Sequence, residues 1–168
     1  LVIDSGMYFS TTQAVFALKG KPLNTYGRTK LDGERAIAES GCAYLILRTS
    51  WIYSDIGGNF VLAMLRLARQ RREIAVVDDQ FGSPTWARSL AESTAVLIAK
   101  AEQNRSVQDV FHLSASGHTS RFDFAVKIIE IAQRLSGTNA GWADIRRTKN
   151  ANYPLPAKRP LIAATSKD

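Results

Sequence analysis

The sequence predicts an α/β protein, in which helices alternate with strands that are covered on both faces. A segment with helical spacing follows Asn24 and precedes a continuous apolar run at residues 43–47. A second helical segment follows Asn59 and precedes an apolar run at residues 74–77. Uninterrupted apolar runs of this length are typical of parallel sheets, because helices cover both faces of such a sheet. The alternation of helix and buried strand therefore indicates the α/β class.

Capping residues define where the predicted helices begin and end. Asn24 or Thr25 begins the first helix, which ends near Gly41, while Asn59 caps the second helix and Ser120 the last. The predicted helices span residues 25–40, 60–68, 86–103 and 122–135, and the predicted strands span residues 43–47, 74–77 and 110–113. Residues 1–3 fit a strand end, residues 8–16 fit either a strand or a hydroxyl-rich loop, residues 78–85 form a loop, and the final third is irregular.

Length and composition indicate one globular unit. The chain has 168 residues, of which 45% are hydrophobic and 22% are charged. This is enough for one domain with a hydrophobic core and too little for two ordinary domains. No apolar run reaches the roughly 18 residues of a membrane span, and the first residues do not resemble a secretory signal. We therefore expect a cytoplasmic protein without a membrane partner.

The formal net charge of +7 is concentrated after residue 104. A basic segment favours an anionic ligand, either a nucleoside diphosphate or a nucleic acid, although it is also compatible with a basic surface that binds nothing. Because the chain has no recognised nucleic-acid motif, we expect no nucleic-acid partner. The single Cys42 excludes an internal disulfide and is expected to be buried, and no Cys or His spacing predicts a metal site.

Tyr26 and Lys30 are spaced for joint action on one ligand. On a helix, residues four apart lie on the same face, one turn apart. A neighbouring ammonium favours the ionised form of a phenol, which makes the pair a candidate proton donor for carbonyl reduction. The same spacing is common on solvated helix faces, so the pattern alone leaves both interpretations open.

The residues around this pair resemble the active-site helix of the extended short-chain dehydrogenase/reductases. The shared string is Pro-Leu-Asn-x-Tyr-Gly-Arg-Thr-Lys at residues 22–30. Three later stretches match in the same order: Arg-Thr-Ser-Trp at 48–51, Asp-Gln-x-Gly-x-Pro-Thr at 79–85 and Tyr-Pro-x-Pro-Ala-x-Arg-Pro at 153–160. Within this family the strings are most similar to the dTDP-4-dehydrorhamnose reductases. The resemblance implies a Rossmann-like, doubly wound parallel sheet with a small substrate-binding portion.

The resemblance implies catalytic roles for Tyr26, Lys30 and Thr12. Tyr26 would protonate the new alkoxide, while Lys30 would assist it and bond the nicotinamide ribose, so both residues also belong to the implied cofactor site. Thr12 would polarise the substrate carbonyl, with Thr11 and Ser10 as alternatives. These hydroxyls also fit a structural role, in which they satisfy backbone groups at a strand end.

One catalytic segment departs from the family pattern. Residues 11–14 read Thr-Thr-Gln-Ala where the family has Ser-Thr-Asp-Tyr. The linker to Pro22 and the segment after Pro160 are also shorter than in the family. These departures leave open an alternative interpretation, which is a non-catalytic module of the same fold that binds a nucleotide sugar or forms an oligomer.

Further residues are implied to contact the ligands. Thr49 and Ser50 follow a strand end, where doubly wound sheets bind ligands, and are implied to lie near the nicotinamide. The implied substrate contacts are Trp51 as a stacking wall for the sugar, Asn59 near the diphosphate, Gln80 near the nucleotide and Arg159 as a bidentate partner of the diphosphate. As single features, Asn59 also fits a helix cap and Gln80 a structural loop residue.

The activity implied by the resemblance is reduction of the 4-keto group of dTDP-4-dehydro-L-rhamnose to dTDP-L-rhamnose. NADPH or NADH would be the hydride donor and a nucleotide sugar the substrate. The family also implies a homodimer and, in some members, Mg²⁺, although no residue of this sequence indicates either.

The match covers only the later half of such a reductase. The 168 residues contain no Gly-x-Gly-x-x-Gly or Gly-x-x-Gly-x-x-Gly loop, which cradles the dinucleotide phosphates in this fold. We therefore expect one partial domain over residues 1–168, and we do not expect this chain alone to be active. In it, residues 1–104 complete the Rossmann-like sheet and residues 105–168 form most of the substrate-binding portion.

Overall fold

The computed structural model describes residues 2–3, 7–10, 24–103 and 109–153. Its helices are α1 (Thr25–Glu39), α2 (Phe60–Gln70), α3 (Ala87–Gln103) and α4 (Arg121–Ser136), followed by one 3₁₀ turn (Asn150–Asn152). Its strands are β1 (Val2–Ile3), β2 (Met7–Ser10), β3 (Leu45–Arg48), β4 (Ile52–Tyr53), β5 (Glu73–Val77), β6 (Phe81–Gly82), β7 (Thr85–Trp86), β8 (Asp109–Ala115), β9 (Thr119–Ser120) and β10 (Asp144–Thr148).

The predicted caps are confirmed at three helices. The side-chain oxygen of Asn24 accepts from the Gly27 N–H at 2.8 Å, and that of Asn59 accepts from the Leu62 N–H at 3.2 Å. Ser120 caps α4 in the same way. Each cap satisfies a backbone donor that has no partner within the first turn of a helix, which fixes where the helix begins.

The first sheet confirms the α/β class. Its strand order is β1-β2-β8-β3, and β3 runs parallel to β8 with Leu47 opposite Phe111. Helix α1 leads directly into β3, as the sequence predicted. The sheet is mixed instead of fully parallel, because β2 runs antiparallel to β8 and β1 antiparallel to β2.

A second group of elements surrounds a separate hydrophobic cluster. Strands β5 and β10 run parallel, with Ile74 opposite Ile145, and α2 and α4 contact them. The backbone N–H of Ala143 donates to the Ala68 carbonyl at 2.9 Å, which joins α2 to the entry of β10. The buried residues of this cluster are Met64, Ala68, Ile74, Val76, Ala125, Ile128, Ile129 and Ala143.

Strand β10 corrects the expectation that the final third is irregular. Three of its five residues are charged, namely Asp144, Arg146 and Arg147, so it lacks the apolar run that marked the other strands. Among the described residues it pairs with β5 alone, and most of its side chains are exposed, so it does not need a continuous apolar run. Within this strand, Ile145 and Thr148 are partly buried and the other three residues are exposed.

Elements from both sides of residue 104 pack together, while the expected division of roles at that residue stays a prediction. Strand β8 lies after that position but belongs to the first sheet, next to β3. Conversely, α2 and β5 lie before it but pack with α4 and β10. The two groups of elements are therefore interleaved along the chain.

Two smaller expectations also differ from the structure. Trp86 is not the first residue of α3, because it pairs with Tyr53 between β7 and β4. Cys42 is exposed instead of buried, since it follows Gly41 in the turn after α1. Within the described ranges, no helix is both long and apolar enough to cross a membrane.

Candidate functional site

A cleft of about 840 Å³ opens at the carboxyl end of β5. Residues 75–77 of β5 and the first two turns of α2 supply most of its apolar lining. Its polar lining comes from Asn59, Arg66, Gln80, Arg121 and Asn150. A mainly apolar cleft with a few polar groups beyond strand ends is typical of a small-molecule site in an α/β protein.

An arginine held against aromatic rings lies at this cleft. The guanidinium carbon of Arg121 is 3.9 Å from the ring centre of Trp51 and 4.8 Å from that of Phe60. The ring of Phe124 stacks on both of these rings, with its centre 6.4 Å from that of Trp51 and 5.6 Å from that of Phe60. Such packing restricts the arginine side chain, which lowers the entropic cost of presenting its planar cation to an anion.

Sequence reasoning did not identify Arg121. The residue belongs to no matching string, and it stands out only once α4 begins beside Trp51 and Phe60. Its position directly after the Ser120 cap and before two phenylalanines was the one available signal.

Trp51 is fixed in an uncommon backbone conformation. Its φ of 47° is the one positive value at a non-glycine residue in the described ranges. Its carbonyl accepts from the Thr85 N–H at 3.1 Å, and its ring lies directly against Gly82. Trp51 does not line the cleft but supports Arg121, so its role as a stacking wall for the sugar stays a prediction.

Asn59 and Gln80 both line the cleft, as expected of substrate contacts, but each already has protein partners. The Asn59 amide nitrogen donates to the carbonyls of Ser54 at 2.9 Å and Ile56 at 3.2 Å, and its oxygen caps α2. The Gln80 amide nitrogen donates to Asn150 Oδ1 at 2.8 Å. The geometry of Asn59 is therefore that of a cap, which leaves little capacity for a ligand.

Charged residues connect the loop after β5 to the loop after β10. Both carboxylate oxygens of Asp79 lie 3.0 Å from the backbone nitrogen of Asn150. Lys149 Nζ lies 2.8 Å from Asp78 Oδ1, and this contact with Lys149 holds the pKa of Asp78 below its ordinary value. Protein groups thus contact both carboxylates of the acidic pair at residues 78–79, so the pair does not require a metal ion. In the part of the chain that the structure describes, no three His, Cys, Asp or Glu side chains gather as metal ligands.

Tyr26 and Lys30 converge as their spacing predicted. Lys30 Nζ lies 5.5 Å from the centre of the Tyr26 ring, and Tyr26 is 69% exposed. The pair lies on α1 and does not line the cleft at β5. No residue of α1 is buried, so the side of the helix that carries the pair is open.

A bidentate ion pair, which sequence reasoning missed, holds α1 against the first sheet. Arg48 Nε donates to Glu34 Oε1 at 2.8 Å, and Arg48 Nη2 donates to Glu34 Oε2. Only about a fifth of each side chain is exposed, at 18% and 20%. Arg48 ends β3 and Glu34 lies one turn after Lys30, so the pair sets the position of the catalytic candidates relative to the strand end.

Thr49 directly follows this strand end. Its hydroxyl oxygen is buried and has no hydrogen-bond partner within residues 24–103 and 109–153. A buried hydroxyl without a partner is costly, which fits a group that a ligand completes. The role of Thr49 near the nicotinamide stays a prediction. Ser50 lies beside Thr49 after β3, half-buried.

His112 lies opposite Arg48 in the pairing of β8 with β3. Burial, and secondarily the Arg48 charge, hold the pKa of His112 below its ordinary value. Its Nδ1 atom is buried and has no hydrogen-bond partner among the residues described. Burial therefore disfavours the charged form of this imidazole.

Several expected site residues lie outside the described residues. Thr11, Thr12 and Arg159 are among them, and of Ser10 only the backbone is described, opposite His112 at the end of β2. Their implied roles stay predictions.

The parallel strands, the α1 pair and the cleft at β5 together define a Rossmann-like α/β protein with a cleft beyond the end of a strand. More narrowly, the chain belongs to the RmlD substrate binding domain family, whose model matches residues 13–167. This agrees with the resemblance found in the sequence strings.

Several known proteins similar to this chain carry the same activity in their names. The chain is 45% identical over 139 residues to the dTDP-4-dehydrorhamnose reductase of Shigella flexneri, which covers 83% of this chain and 46% of the relative. The Clostridium acetobutylicum dTDP-4-dehydrorhamnose reductase structure matches with a TM-score of 0.76 and 34% identity, over 90% of this chain and 49% of that one. The chain thus spans about half the length of the curated relatives it matches.

One similar structure contains a dinucleotide. The dTDP-4-dehydrorhamnose reductase of Bacillus anthracis, solved in complex with NADP, matches with a TM-score of 0.72 and 34% identity. The match covers 88% of this chain and 48% of that chain.

Proposed function

We propose that this chain is the proton-donating and substrate-binding part of a dTDP-4-dehydrorhamnose reductase. The reaction is reduction of the 4-keto group of dTDP-4-dehydro-L-rhamnose to dTDP-L-rhamnose, with NADPH or NADH as hydride donor. The observation that carries the proposal is the convergence of Lys30 on the ring of Tyr26, at 5.5 Å, on a helix tied to the end of β3. The names of the similar proteins and the NADP complex of one of them support it.

In the proposed reaction, Tyr26 supplies the proton. A bound nicotinamide supplies the hydride to C4 of the sugar. As the carbonyl oxygen gains negative charge, the Tyr26 hydroxyl donates its proton to that oxygen, and the Lys30 ammonium stabilises the phenolate that remains. The buried Thr49 hydroxyl donates to the cofactor or the substrate, which satisfies its unused hydrogen-bonding capacity.

The cleft at β5 is proposed to hold the nucleotide diphosphate of the substrate. Arg121 provides a rigid cation for phosphate oxygens, while the apolar residues of β5 and α2 contact uncharged parts of the ligand. Arg159 is proposed to add a second cation. Its position within the proline-rich stretch at residues 153–160, which matches the family string, supports this role.

The decisive experiment is a chimera of this chain with the part of the Shigella flexneri relative outside the matched region. We expect the chimera to oxidise NADPH when dTDP-4-dehydro-L-rhamnose is added. Tyr26→Phe removes the proton donor and should lower kcat by about 100-fold or more. Tyr44→Phe is the matched control, because it removes the hydroxyl of a half-buried tyrosine that does not belong to α1, and it should leave kcat unchanged. Equal kcat values for Tyr26→Phe and the unmodified chimera would refute the assignment.

A second candidate function is a non-catalytic module that binds a nucleotide sugar. The altered residues 11–14 favour it, because the family's Asp and Tyr are absent there. Binding of dTDP by a chimera that does not reduce the substrate would support this candidate over the reductase.

A homodimer, a cytoplasmic location and the absence of a nucleic-acid partner also belong to the proposal. Family resemblance supports the first, and sequence composition supports the other two. Light scattering of the purified protein tests the homodimer directly.

A further inference from the structure

We propose that Asn150 contacts the ligand in the cleft and that Asp79 and Gln80 are positioning residues, Asp79 for the backbone of Asn150 and Gln80 for its side-chain amide. The inference rests on the proposed function, since it assigns a hydrogen-bond donor to the nucleotide part of the substrate. Asn150 lies in the 3₁₀ turn after β10 and lines the cleft at β5.

Asp79 fixes the backbone of Asn150. Its two carboxylate oxygens both lie 3.0 Å from the Asn150 nitrogen, although the residues are 71 positions apart in the chain. A hydrogen bond to a carboxylate is stronger than one between neutral groups. The 3₁₀ turn has only three residues and weak internal hydrogen bonding, so this contact determines where Asn150 lies.

Gln80 fixes the orientation of the Asn150 amide. The buried Gln80 side chain donates to Asn150 Oδ1 at 2.8 Å. A side-chain amide has one oxygen and one nitrogen with two N–H donors, so engaging the oxygen turns the nitrogen away from Gln80. The Asn150 amide nitrogen has no hydrogen-bond partner within the described part of the chain, and the cleft is the open space beside it.

The group presented to the ligand is therefore a pair of N–H donors. Such a pair recognises an acceptor oxygen, which in this ligand class belongs either to the base and ribose or to the diphosphate. The same loop also orients the cation of the cleft, because the Gln80 carbonyl accepts from the Arg121 backbone N–H at 3.0 Å. Residues 79–80 thus hold two ligand-facing side chains from distant parts of the sequence.

Titration calorimetry of the full 168-residue chain with dTDP tests the contact. We expect Asn150→Ala to weaken dTDP binding by about tenfold, because one hydrogen bond is lost. Asn150→Asp keeps the size and the oxygen facing Gln80 but replaces both donors, so it should weaken binding at least as much. Asn152→Ala is the matched control: Asn152 lies in the same turn, is exposed, and donates to Thr148 Oγ1 at 3.2 Å. Its dTDP affinity should equal that of the unmodified chain.

The positioning role is tested by combining variants. If Asp79 acts through Asn150, Asp79→Ala should weaken dTDP binding in the unmodified chain but not in the Asn150→Ala chain. Thymidine and pyrophosphate as separate ligands identify the source of the acceptor oxygen: the Asn150 effect should appear with only the one that carries it.

Two outcomes separate this inference from the proposed function. Failure of the unmodified chain to bind dTDP would overturn both. Binding of dTDP that Asn150→Ala and Asn150→Asp leave unchanged, with circular dichroism showing both variants folded, would overturn this inference and leave the proposed function intact.

Discussion

At the scale of single residues, the contact between Gly82 and Trp51 shows why glycine is required at the end of β6. A Cβ atom added to Gly82 would lie 2.5 Å from Cε2 of Trp51. The Trp51 ring cannot shift freely, because Phe124 stacks on it and Arg121 lies over it. The close approach of backbone and indole thus stabilises the aromatic cluster that supports the cleft.

Gly82→Ala is expected to lower the free energy of unfolding by about 1–3 kcal/mol, because it overpacks this contact. The matched control is Gly58→Ala, since a Cβ at Gly58 meets no atom within 4 Å and its φ is not positive. Urea unfolding of both variants measures the difference. Equal stability of the two variants would contradict the packing described for Trp51.

His112 predicts a dependence of stability on pH. Because its pKa in the folded chain lies below the unfolded value of about 6.5, the unfolded state binds a proton that the folded state does not. Its contribution to stability is complete above that value and is lost as the pH falls from about 6.5 to the lower folded pKa.

The test compares the free energy of unfolding between about pH 7 and pH 5 for His112→Gln and His118→Gln. His112→Gln should remove part of the loss of stability on acidification. His118 lies exposed in the loop after β8, so His118→Gln should leave that loss unchanged. Parallel pH profiles for both variants and the unmodified chain would show that His112 does not titrate in this way.

At the scale of elements, α1 is held by electrostatics as well as by packing. It has no buried residue, and its bidentate pair with β3 joins Glu34 to Arg48. Exposed ion pairs contribute little, but this pair is four-fifths buried, so removal of one partner leaves the other charge poorly solvated.

Glu34→Gln should therefore lower the free energy of unfolding by about 1–3 kcal/mol. The exposed Glu92, which pairs with Arg88 on α3 at 3.0 Å, provides the matched control. Glu92→Gln should change stability by less than about 0.5 kcal/mol. Thermal unfolding of both variants distinguishes them, and an equally small effect at Glu34 would mean that the pair does not anchor α1.

The sequence allowed prediction of those elements whose local signals agree with their environment. Side-chain caps gave the starts of α1, α2 and α4, and apolar runs gave β3, β5 and β8. Strand β10 escaped prediction because its pairing with β5, and not its own composition, makes it a strand.

In the candidate site, too, only contacts that depend on local sequence could be predicted. The spacing of Tyr26 and Lys30 was sufficient to predict their convergence, since it depends on one helix. The contacts of Arg121, Glu34 with Arg48, and Asp79 with Asn150 join residues that are far apart in the sequence. No local pattern encodes such contacts, so they become visible only with the fold.

At the scale of the whole molecule, the chain visits its two groups of elements alternately. In chain order, β3 belongs to the first sheet, α2 and β5 to the second group, β8 again to the first sheet, and α4 and β10 again to the second group. The cleft thus depends on segments from both halves of the sequence, including residues 57–66 and Asn150.

This order has a consequence for the growing chain on a ribosome. Strand β8 has to emerge before β3 gains its parallel neighbour, and by then α2 and β5 are already outside the exit tunnel with their apolar faces uncovered. Those faces are covered only after α4 and β10 have followed, up to Thr148. Newly made protein therefore passes through a stage in which apolar surface is exposed to solvent. Chaperones bind nascent chains through such exposed apolar surface.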